Sequence, residues 1–131
     1  LYILIQVKLK EDLIMGLILS RGDIVLAKLP EIGEHIQKGE KRILIISNGR
    51  CIRNSPVITY VCLTSKEKNN LPTHVELEPN KYNGLNVKST ILCEQIMSLD
   101  KTRIIKKLGT IDNETLKKVE KALLIQLGIK I

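Results

Sequence analysis

Aromatic residues are nearly absent from this chain of 131 residues, which contains three tyrosines and no Phe or Trp. Proteins that read single-stranded nucleic acid commonly stack the bases on aromatic side chains. Such platforms are largely excluded here. Any recognition of a base must therefore depend on hydrogen bonds and on shape.

Cysteines are few and widely spaced. Cys51, Cys62 and Cys93 form no C-x-x-C pair, so a zinc site is not predicted, and we expect no metal and no cofactor. Cys62 and Cys93 lie in apolar runs and are interpreted as buried, reduced thiols. Reduced thiols are typical of cytoplasmic proteins, and we expect a cytoplasmic location.

Long apolar runs are absent as well. Residues 1–20 are rich in aliphatic side chains, but the charges from Lys8 to Asp12 interrupt them well before the roughly 20 residues that a membrane span requires. No small-residue cleavage site follows, so a signal peptide is not predicted. The first Met is Met15. We therefore expect residues 1–20 to be an N-terminal extension, with the natural start at Met15, before one domain over residues 21–131.

Positive charge, in contrast, is abundant. The chain has 21 Lys and Arg residues against 14 Asp and Glu, which gives a net charge of +7. A basic balance favours anionic partners, namely nucleic acid, an acidic protein segment or, with less support, a membrane surface. Composition alone does not choose among these partners.

The stretch from Lys41 to Asn48 is the most informative part of the sequence. Residues 43–46 are four consecutive aliphatic side chains, so both faces of this strand are predicted to be covered. Lys41 and Arg42 stand at its front edge. A rigid buried strand holds an arginine head in a fixed place, although a solvated start to a core strand is the simpler interpretation.

Short segments rich in β-branched residues, separated by turn signals, predict five or six strands. They lie within residues 21–29 and 41–48, and over 57–64, 73–77, 89–96 and 103–108. Asn48-Gly49 is interpreted as a tight turn. A helix is predicted from the N-cap Asp112 to the C-terminal cap Gly128. Its apolar face comprises Leu116, Val119, Leu123 and Leu127. One closing helix on strands of this spacing indicates a small barrel or sandwich.

Several stretches, taken in order, resemble the MazF/PemK family of toxin endoribonucleases. They are RGDIV at 21–25, Arg42 with LIISN at 44–48, SP at 55–56, LTS at 63–65, PTHVEL at 72–77, ILCEQI at 91–96 and LDKTR at 99–103. The resemblance implies a mainly β, SH3-like small barrel of the MazF/CcdB/PemK type, with short helices and a C-terminal α-helix. It also implies a homodimer and a cognate antitoxin with an acidic, partly disordered tail.

Three positions depart from the family pattern. Ile43 stands where the family usually has Pro, and Gly49 stands where Asp is common. The loop over residues 31–40 carries His35 where many relatives have an aromatic residue. The first two departures bear on the backbone around Arg42, and the third bears on which base the protein prefers.

Catalysis is the role that the resemblance implies for Arg42 and Thr64. RNA can be cut without a metal ion when its own 2′-hydroxyl attacks the adjacent phosphorus, provided that protons are moved and the charge on the phosphorane is stabilised. The forked donors of Arg42 can bind two phosphate oxygens, and the Thr64 hydroxyl can hydrogen-bond the scissile phosphate. The simpler alternatives are a surface salt bridge for Arg42 and ordinary strand propensity for Thr64.

Further candidates for RNA binding lie around these two residues. They are Lys41, Ser65, Lys66, Lys68, Glu94, Gln95 and His35. Strand alternation places Glu94 and Gln95 on opposite faces; Gln95 could read a base edge and Glu94 could brace a cation, with a buried hydrogen-bonding role as an equal alternative. For the lysines and His35 the alternative is a solvated loop. His74 is assigned to a structural strand, although its ring could titrate near neutral pH.

Two functions from different classes remain open. The first is a toxin of a type II toxin–antitoxin system, a sequence-specific, metal-independent endoribonuclease that cuts single-stranded mRNA and stops translation and growth. The second is a non-catalytic binding module on the same barrel, because the related CcdB toxins act by binding gyrase. Arg42 with Thr64 discriminates between them, since only the nuclease needs both. Neither reading involves a membrane.

Overall fold

The computed structural model describes residues 18–67 and 70–130. The expected extension lies mostly outside the described residues, as does Lys68. The strands are β1 (Asp23–Leu29), β2 (Gly39–Ile45), β3 (Val57–Thr64), β4 (His74–Leu77), β5 (Ser89–Asp100) and β6 (Ile104–Thr110). The helices are α1 (Gly49–Asn54) and α2 (Asn113–Leu127), and a 3₁₀ turn (Lys101–Arg103) joins β5 to β6. No helix in the described part of the chain is long and apolar enough to cross a membrane.

The six strands form one antiparallel sheet in the order β4-β5-β3-β2-β1-β6. The loop between β4 and β5 reaches the other edge of the sheet, where the Thr110 backbone N–H donates to the Tyr82 carbonyl at 2.9 Å. Gly84 permits this approach, because it adopts φ +70° and a Cβ there would lie 2.1 Å from the Leu108 carbonyl oxygen. The predicted mainly β fold with a C-terminal helix is confirmed.

Each face of the sheet carries its own apolar cluster. Ile43 and Ile45 pack on one face with Tyr60 and Cys62, whereas Leu44 packs on the other. All three β2 side chains are fully buried. The prediction that this strand is covered on both faces is therefore confirmed, and β2 is the rigid centre of the molecule.

Helix α2 covers the face that contains Leu44. Asp112 caps it by accepting from the Thr115 backbone N–H at 2.7 Å, and this bond lowers the pKa of the Asp112 carboxyl. Gly128 ends it in the left-handed region, as predicted. Val119 is buried as expected, but Leu127 is exposed, because the helix runs past the edge of the sheet's apolar cluster before it ends.

Two further sequence predictions are corrected. Asn48-Gly49 is not a hairpin turn: Asn48 is the N-cap of helix α1, and its side chain accepts from the Cys51 backbone N–H.

Strand β5 is longer than predicted and contains a bulge. Between the pairs Tyr60–Met97 and Cys62–Leu92, a single β3 residue stands opposite residues 93–96.

Two of the three cysteines are buried, as the sequence predicts. Cys62 and Cys93 are buried and unbonded, and burial raises the pKa of each thiol to about 12. Cys51 is exposed on helix α1. The first two thiols therefore stay protonated and act as small apolar side chains.

Candidate active site

Strand β2 begins at Gly39 and not at Lys41 as predicted, so the first candidate, Arg42, is the middle residue of the strand and does not lie at its front edge. Arg42 pairs with Leu26 of β1. Its Nη1 donates to Ser89 Oγ at the start of β5, at 2.7 Å. The side chain is half-buried, and burial lowers the pKa of the guanidinium from its ordinary value. Arginine nevertheless stays charged in proteins.

Arg42 has no counter-ion in the described part of the chain. The ion pairs there involve Arg21, His74, Lys88 and Lys107, but neither Arg42 nor Lys41. A half-buried cation without a carboxylate has lost part of its hydration and gained only one neutral hydrogen bond. Such a group is well suited to bind an anion, and a phosphate fits its forked donors.

Thr64, the second candidate, ends β3. The residue is 7% exposed, and its Oγ1 accepts from the Lys66 backbone N–H at 3.2 Å. This bond uses an oxygen lone pair and leaves the hydroxyl proton available. Thr64 can therefore donate a hydrogen bond to a ligand at the end of the strand.

The sheet register brings Arg42 and Thr64 to the same end of the β2–β3 pairing but onto opposite faces of the sheet. Ile43 pairs with Cys62, and continuing this register places Lys41 opposite Thr64. Because side chains alternate along a strand, Lys41 and Thr64 lie on the face of Cys62, whereas Arg42 lies on the face of Leu44. A ligand that both Arg42 and Thr64 contact must lie across the end of the sheet. The sequence did not reveal that this register places Lys41, and not Arg42, on the face of Thr64.

A cavity of about 730 Å³ opens beside Thr64. It is lined by Ser65, Lys66, Glu67, Asn70, Glu76, Lys88 and Thr90. Thr64 pairs with Thr90, and Thr90 pairs with Glu76, so these three side chains form a row on one face of the sheet. Two of the residues predicted to bind RNA, Ser65 and Lys66, thus meet three that sequence reasoning missed, namely Glu76, Lys88 and Thr90.

Lys88 is held on the cavity wall by two carboxylates. Its Nζ lies 3.3 Å from Glu76 Oε2 and 3.6 Å from Glu78 Oε1, and the bond to Glu76 raises the pKa of the ammonium. All three groups are well exposed, so the pairing contributes little to stability. Nothing in the sequence distinguishes this lysine from the other surface lysines.

Gln95 lies in the β5 bulge and is bound to the loop between β1 and β2. Its Oε1 accepts from the Gln37 backbone N–H at 3.0 Å, and its Nε2 donates to the His35 carbonyl at 3.2 Å. The His35 side chain is exposed. The loop thus uses one acceptor lone pair and one N–H donor of the Gln95 amide and leaves one of each for a base.

Glu94, its neighbour in the bulge, is bound to β4 instead. One carboxylate oxygen accepts from Thr73 Oγ1 at 2.9 Å, and the other lies 3.0 Å from His74 Nε2. The His74 side chain is 6% exposed, and its Nδ1 is buried without a hydrogen-bond partner among the described residues. This arrangement joins β4 to the bulge and matches the buried hydrogen-bonding alternative for Glu94. Among the described residues, no group of three or more His, Cys, Asp or Glu side chains could hold a metal ion.

Residues 20–127 match the family described as the PemK-like, MazF-like toxin of type II toxin–antitoxin systems. The match spans well over half of the chain and includes the strands that carry Arg42 and Thr64. The chain belongs to this family.

Individual relatives of this PemK/MazF-family chain agree with the match. Endoribonuclease EndoA of Bacillus subtilis (strain 168) is 37% identical over 114 residues, which are 86% of this chain and 97% of the relative. An endoribonuclease solved in complex with its cognate antitoxin, from Mycobacterial species, is 26% identical, with a TM-score of 0.70 over 86% of this chain and 98% of that one. MazF from Deinococcus radiodurans, 24% identical with a TM-score of 0.73 over 86% and 98% of the two chains, shares the fold.

Proposed function

We propose that this PemK/MazF-family toxin is a sequence-specific, metal-independent endoribonuclease that cuts single-stranded RNA, with Arg42 and Thr64 as its catalytic residues. The observation that carries the proposal is the half-buried Arg42 guanidinium, which no carboxylate among the described residues neutralises, at the sheet end where Thr64 lies. A scissile phosphate placed across that end would meet both groups. The endoribonuclease activity of the relatives supports the same chemistry.

The reaction begins when the 2′-hydroxyl of the RNA attacks the adjacent phosphorus. The bond to the 5′-oxygen breaks, so the products carry a 2′,3′-cyclic phosphate and a 5′-hydroxyl. Arg42 stabilises the added negative charge on the phosphorane, because its donors already face the site and need little reorganisation. Thr64 donates a hydrogen bond to a phosphate oxygen. We assign Arg42 charge stabilisation alone, since a guanidinium is too hard to deprotonate to act as a base or as a proton donor. The 2′-hydroxyl gives its proton to water, and the leaving 5′-oxygen takes a proton from water.

The test is to incubate a long RNA with the protein in EDTA and to map the ends of the products. We expect discrete fragments that end in a 2′,3′-cyclic phosphate, and no cutting where the 2′-hydroxyl at the mapped site is replaced by 2′-O-methyl. Cutting that requires added Mg²⁺, or that survives 2′-O-methylation, would contradict the mechanism. A protein that binds RNA or gyrase and cuts nothing would support the non-catalytic alternative.

Substrate binding extends from this centre along the basic end of the sheet. Lys41, Ser65 and Lys66 are placed to contact phosphates on either side of the cut, and Lys68 follows in the same segment of the chain. Each lysine that neutralises a phosphate makes binding more sensitive to salt. Gln95 contributes to base recognition through the N–H and the lone pair that the loop does not use, whereas Glu94 supports β4 through His74.

A cognate antitoxin is the second partner. One solved relative is bound to its own antitoxin, and MazE–MazF complexes share the fold of this chain. We propose that an acidic, partly disordered antitoxin tail lies across the groove between Arg42 and Thr64, with carboxylates in the places of RNA phosphates. Inhibition should then be competitive. Cleavage rates at fixed antitoxin and rising RNA concentration would test this, because saturating RNA must restore the full rate.

The chain is also proposed to act as a two-fold dimer in the cytoplasm. Strands β4 and β6 are the edges of the sheet, and Val57 and Ile105 are exposed aliphatic side chains. Pairing around a two-fold axis would cover such surfaces and extend the RNA groove across the interface. Light scattering at micromolar concentration should give twice the chain mass, and a monomeric mass would contradict the proposal.

A further inference from the structure

We propose that Ser89 is a positioning residue that holds the Arg42 guanidinium in the orientation needed for catalysis. This inference rests on the proposed nuclease function of Arg42. Neither strand propensity nor the family resemblance points to Ser89. It was identified only by its contact with Arg42 in the folded chain.

The hydrogen bonds of Ser89 have a defined direction. Ser89 Oγ accepts from Arg42 Nη1 at 2.7 Å and donates its own proton to the Val87 carbonyl at 3.1 Å. Because the hydroxyl proton is committed to Val87, the oxygen presents a lone pair to the guanidinium. The bond to Arg42 is therefore built into the site and does not require the hydroxyl to rotate when a ligand arrives.

Ser89 is also a rigid anchor. It is 2% exposed, and the strand ladder pairs it with Leu77 of β4. Exposed loop serines such as Ser65 lack this support. A side chain fixed in this way can orient a longer and more flexible one that contacts it.

Arg42 needs such an anchor because its long side chain can adopt many rotamers. Ser89 is its hydrogen-bond partner among the described residues, and one Nη1 donor is used. The other four donors remain for the phosphate. A single neutral bond thus restrains the Nη1 end of the guanidinium without neutralising its charge, which a carboxylate in the same place would do.

The position of Ser89 in the sheet links both catalytic candidates. Its neighbour Thr90 pairs directly with Thr64. The start of β5 therefore contacts Arg42 through one side chain and Thr64 through the adjacent backbone, on opposite faces of the sheet. Two residues of one strand set the relative placement of the two groups that must meet one phosphate.

The first experiment compares Ser89→Ala with Ser98→Ala, which removes an exposed serine of the same strand. Ser89→Ala should lower kcat about ten- to a hundredfold, as expected when a catalytic group is misplaced by about an ångström. KM and the affinity for a 2′-O-methyl RNA should change little. Ser98→Ala should match the parent. A Ser89→Ala protein that folds and cuts at the parent rate would overturn the proposal.

A double-mutant cycle separates positioning from a general structural role. If Ser89 acts through the guanidinium, Ser89→Ala should cost far less in an Arg42→Lys background than in the parent, because the bond to Nη1 is already gone. Equal losses in both backgrounds would mean that Ser89 acts by another route. Ser89→Thr keeps the acceptor oxygen and should retain more activity than Ser89→Ala; a Thr variant that folds and is as impaired as the Ala variant would contradict the proposal.

A spectroscopic readout keeps this test independent of the proposed function. In ¹⁵N-labelled protein, the Arg42 guanidinium N–H signals should be slowed in exchange in the parent and in Ser98→Ala, and broadened or lost in Ser89→Ala. If the parent cuts no RNA, the nuclease proposal fails, but these signals still report whether Ser89 fixes Arg42. Identical Arg42 signals in the parent and in Ser89→Ala would overturn the positioning role.

Discussion

Two arginines lie beside opposite ends of the segment of β2 that pairs with β3, and they have opposite surroundings. Arg21 stands at the end where β2 finishes: its Nε donates to the Ile46 carbonyl at 3.2 Å, and its Nη2 lies 3.4 Å from Glu120 of helix α2. Arg42 precedes Ile43 at the other end of this segment and has a serine hydroxyl as its hydrogen-bond partner among the described residues. One cation is neutralised by the fold, and the other has no counter-ion among the described residues.

The same contrast extends to the neighbouring charges. At the Arg21 end, the buried Asp23 carboxylate accepts from the Ser20 backbone N–H at 2.7 Å and pairs with Lys107 at 3.2 Å. At the Arg42 end, Lys41 forms no ion pair within the described residues. A fold that satisfies its charges at one end can do so at the other. The unpaired cations therefore support the proposed binding end, in contrast to the structural end at Arg21.

The largest effect should come from exchanging Arg42 for alanine. Arg42→Ala should abolish RNA cleavage, a loss on the order of 10³-fold or more if its donors act as other preorganised transition-state donors do. Its melting temperature should stay near that of the parent, since Arg42 has no ion pair within the described residues. The measurement is single-turnover cleavage of a defined RNA in EDTA.

Arg21→Ala is the matched control for that experiment. It removes an arginine that lies outside β2, just before β1, where Glu120 and not an RNA is the partner. Cleavage should be unchanged. If both variants lose activity equally, or if folded Arg42→Ala cuts at the parent rate, the distinction between the two ends is wrong.

The structural end was more predictable than the binding end, and the reason is physical. Hydrophobic pattern and caps are local signals, so the order of the strands along the chain, the double burial of Ile43–Ile45 and the Asp112 cap followed from the sequence. Helix α1 was missed because Asn48-Gly49 serves equally well as a turn and as a helix start. The bulge in β5 was missed because a register shift depends on the partner strand, which no local pattern encodes.

The site was predictable only in part for the same reason. Arg42 and Thr64 came from the family resemblance, and their common location at one end follows from the β2–β3 register. The roles of Lys41 beside Thr64, of Ser89 under Arg42 and of Lys88 in the cavity depend on contacts between distant segments. A small polar residue at a strand start carries no sequence signal of such a contact.

The second prediction concerns Thr64. Thr64→Ala should lower kcat by about 10²–10³, because it removes one positioned donor to the phosphate. Thr64→Ser retains the hydroxyl and should recover most of the rate. Rapid-quench measurement of the cleavage rates of the parent, Thr64→Ala and Thr64→Ser tests this prediction. If Thr64→Ser is as slow as Thr64→Ala, the cleavage rate depends on the β-branched shape of Thr64 and not on its hydroxyl.

A smaller effect is expected at Lys41, on the face of Thr64. Lys41→Ala should weaken RNA binding several-fold and reduce the slope of log K against log salt by about one, as the loss of one phosphate contact does. The rate at saturating RNA should change less than in Thr64→Ala. Lys28→Ala, an exposed lysine on β1, serves as the control. Equal salt slopes for Lys41→Ala and the parent would remove Lys41 from the RNA path.

The smallest effect is the loss of stability in Arg21→Ala. The Arg21–Glu120 pair is partly exposed, with side chains 31% and 46% accessible, and pairs of this kind contribute about 0–1 kcal/mol. The additional bond to the Ile46 carbonyl raises the expected loss only to about 1 kcal/mol.

Urea unfolding of Arg21→Ala, Glu120→Ala and the double variant would measure the coupling free energy between the two side chains. Repeating the measurement at high salt would show how much of that coupling is ionic. A coupling of several kcal/mol would mean that this end relies on Arg21 more than its exposure indicates. If the coupling free energy is near zero, the loss of stability in Arg21→Ala comes from the hydrogen bond to the Ile46 carbonyl. Arg21 and Arg42 would then differ in their hydrogen bonds and not in the neutralisation of their charge.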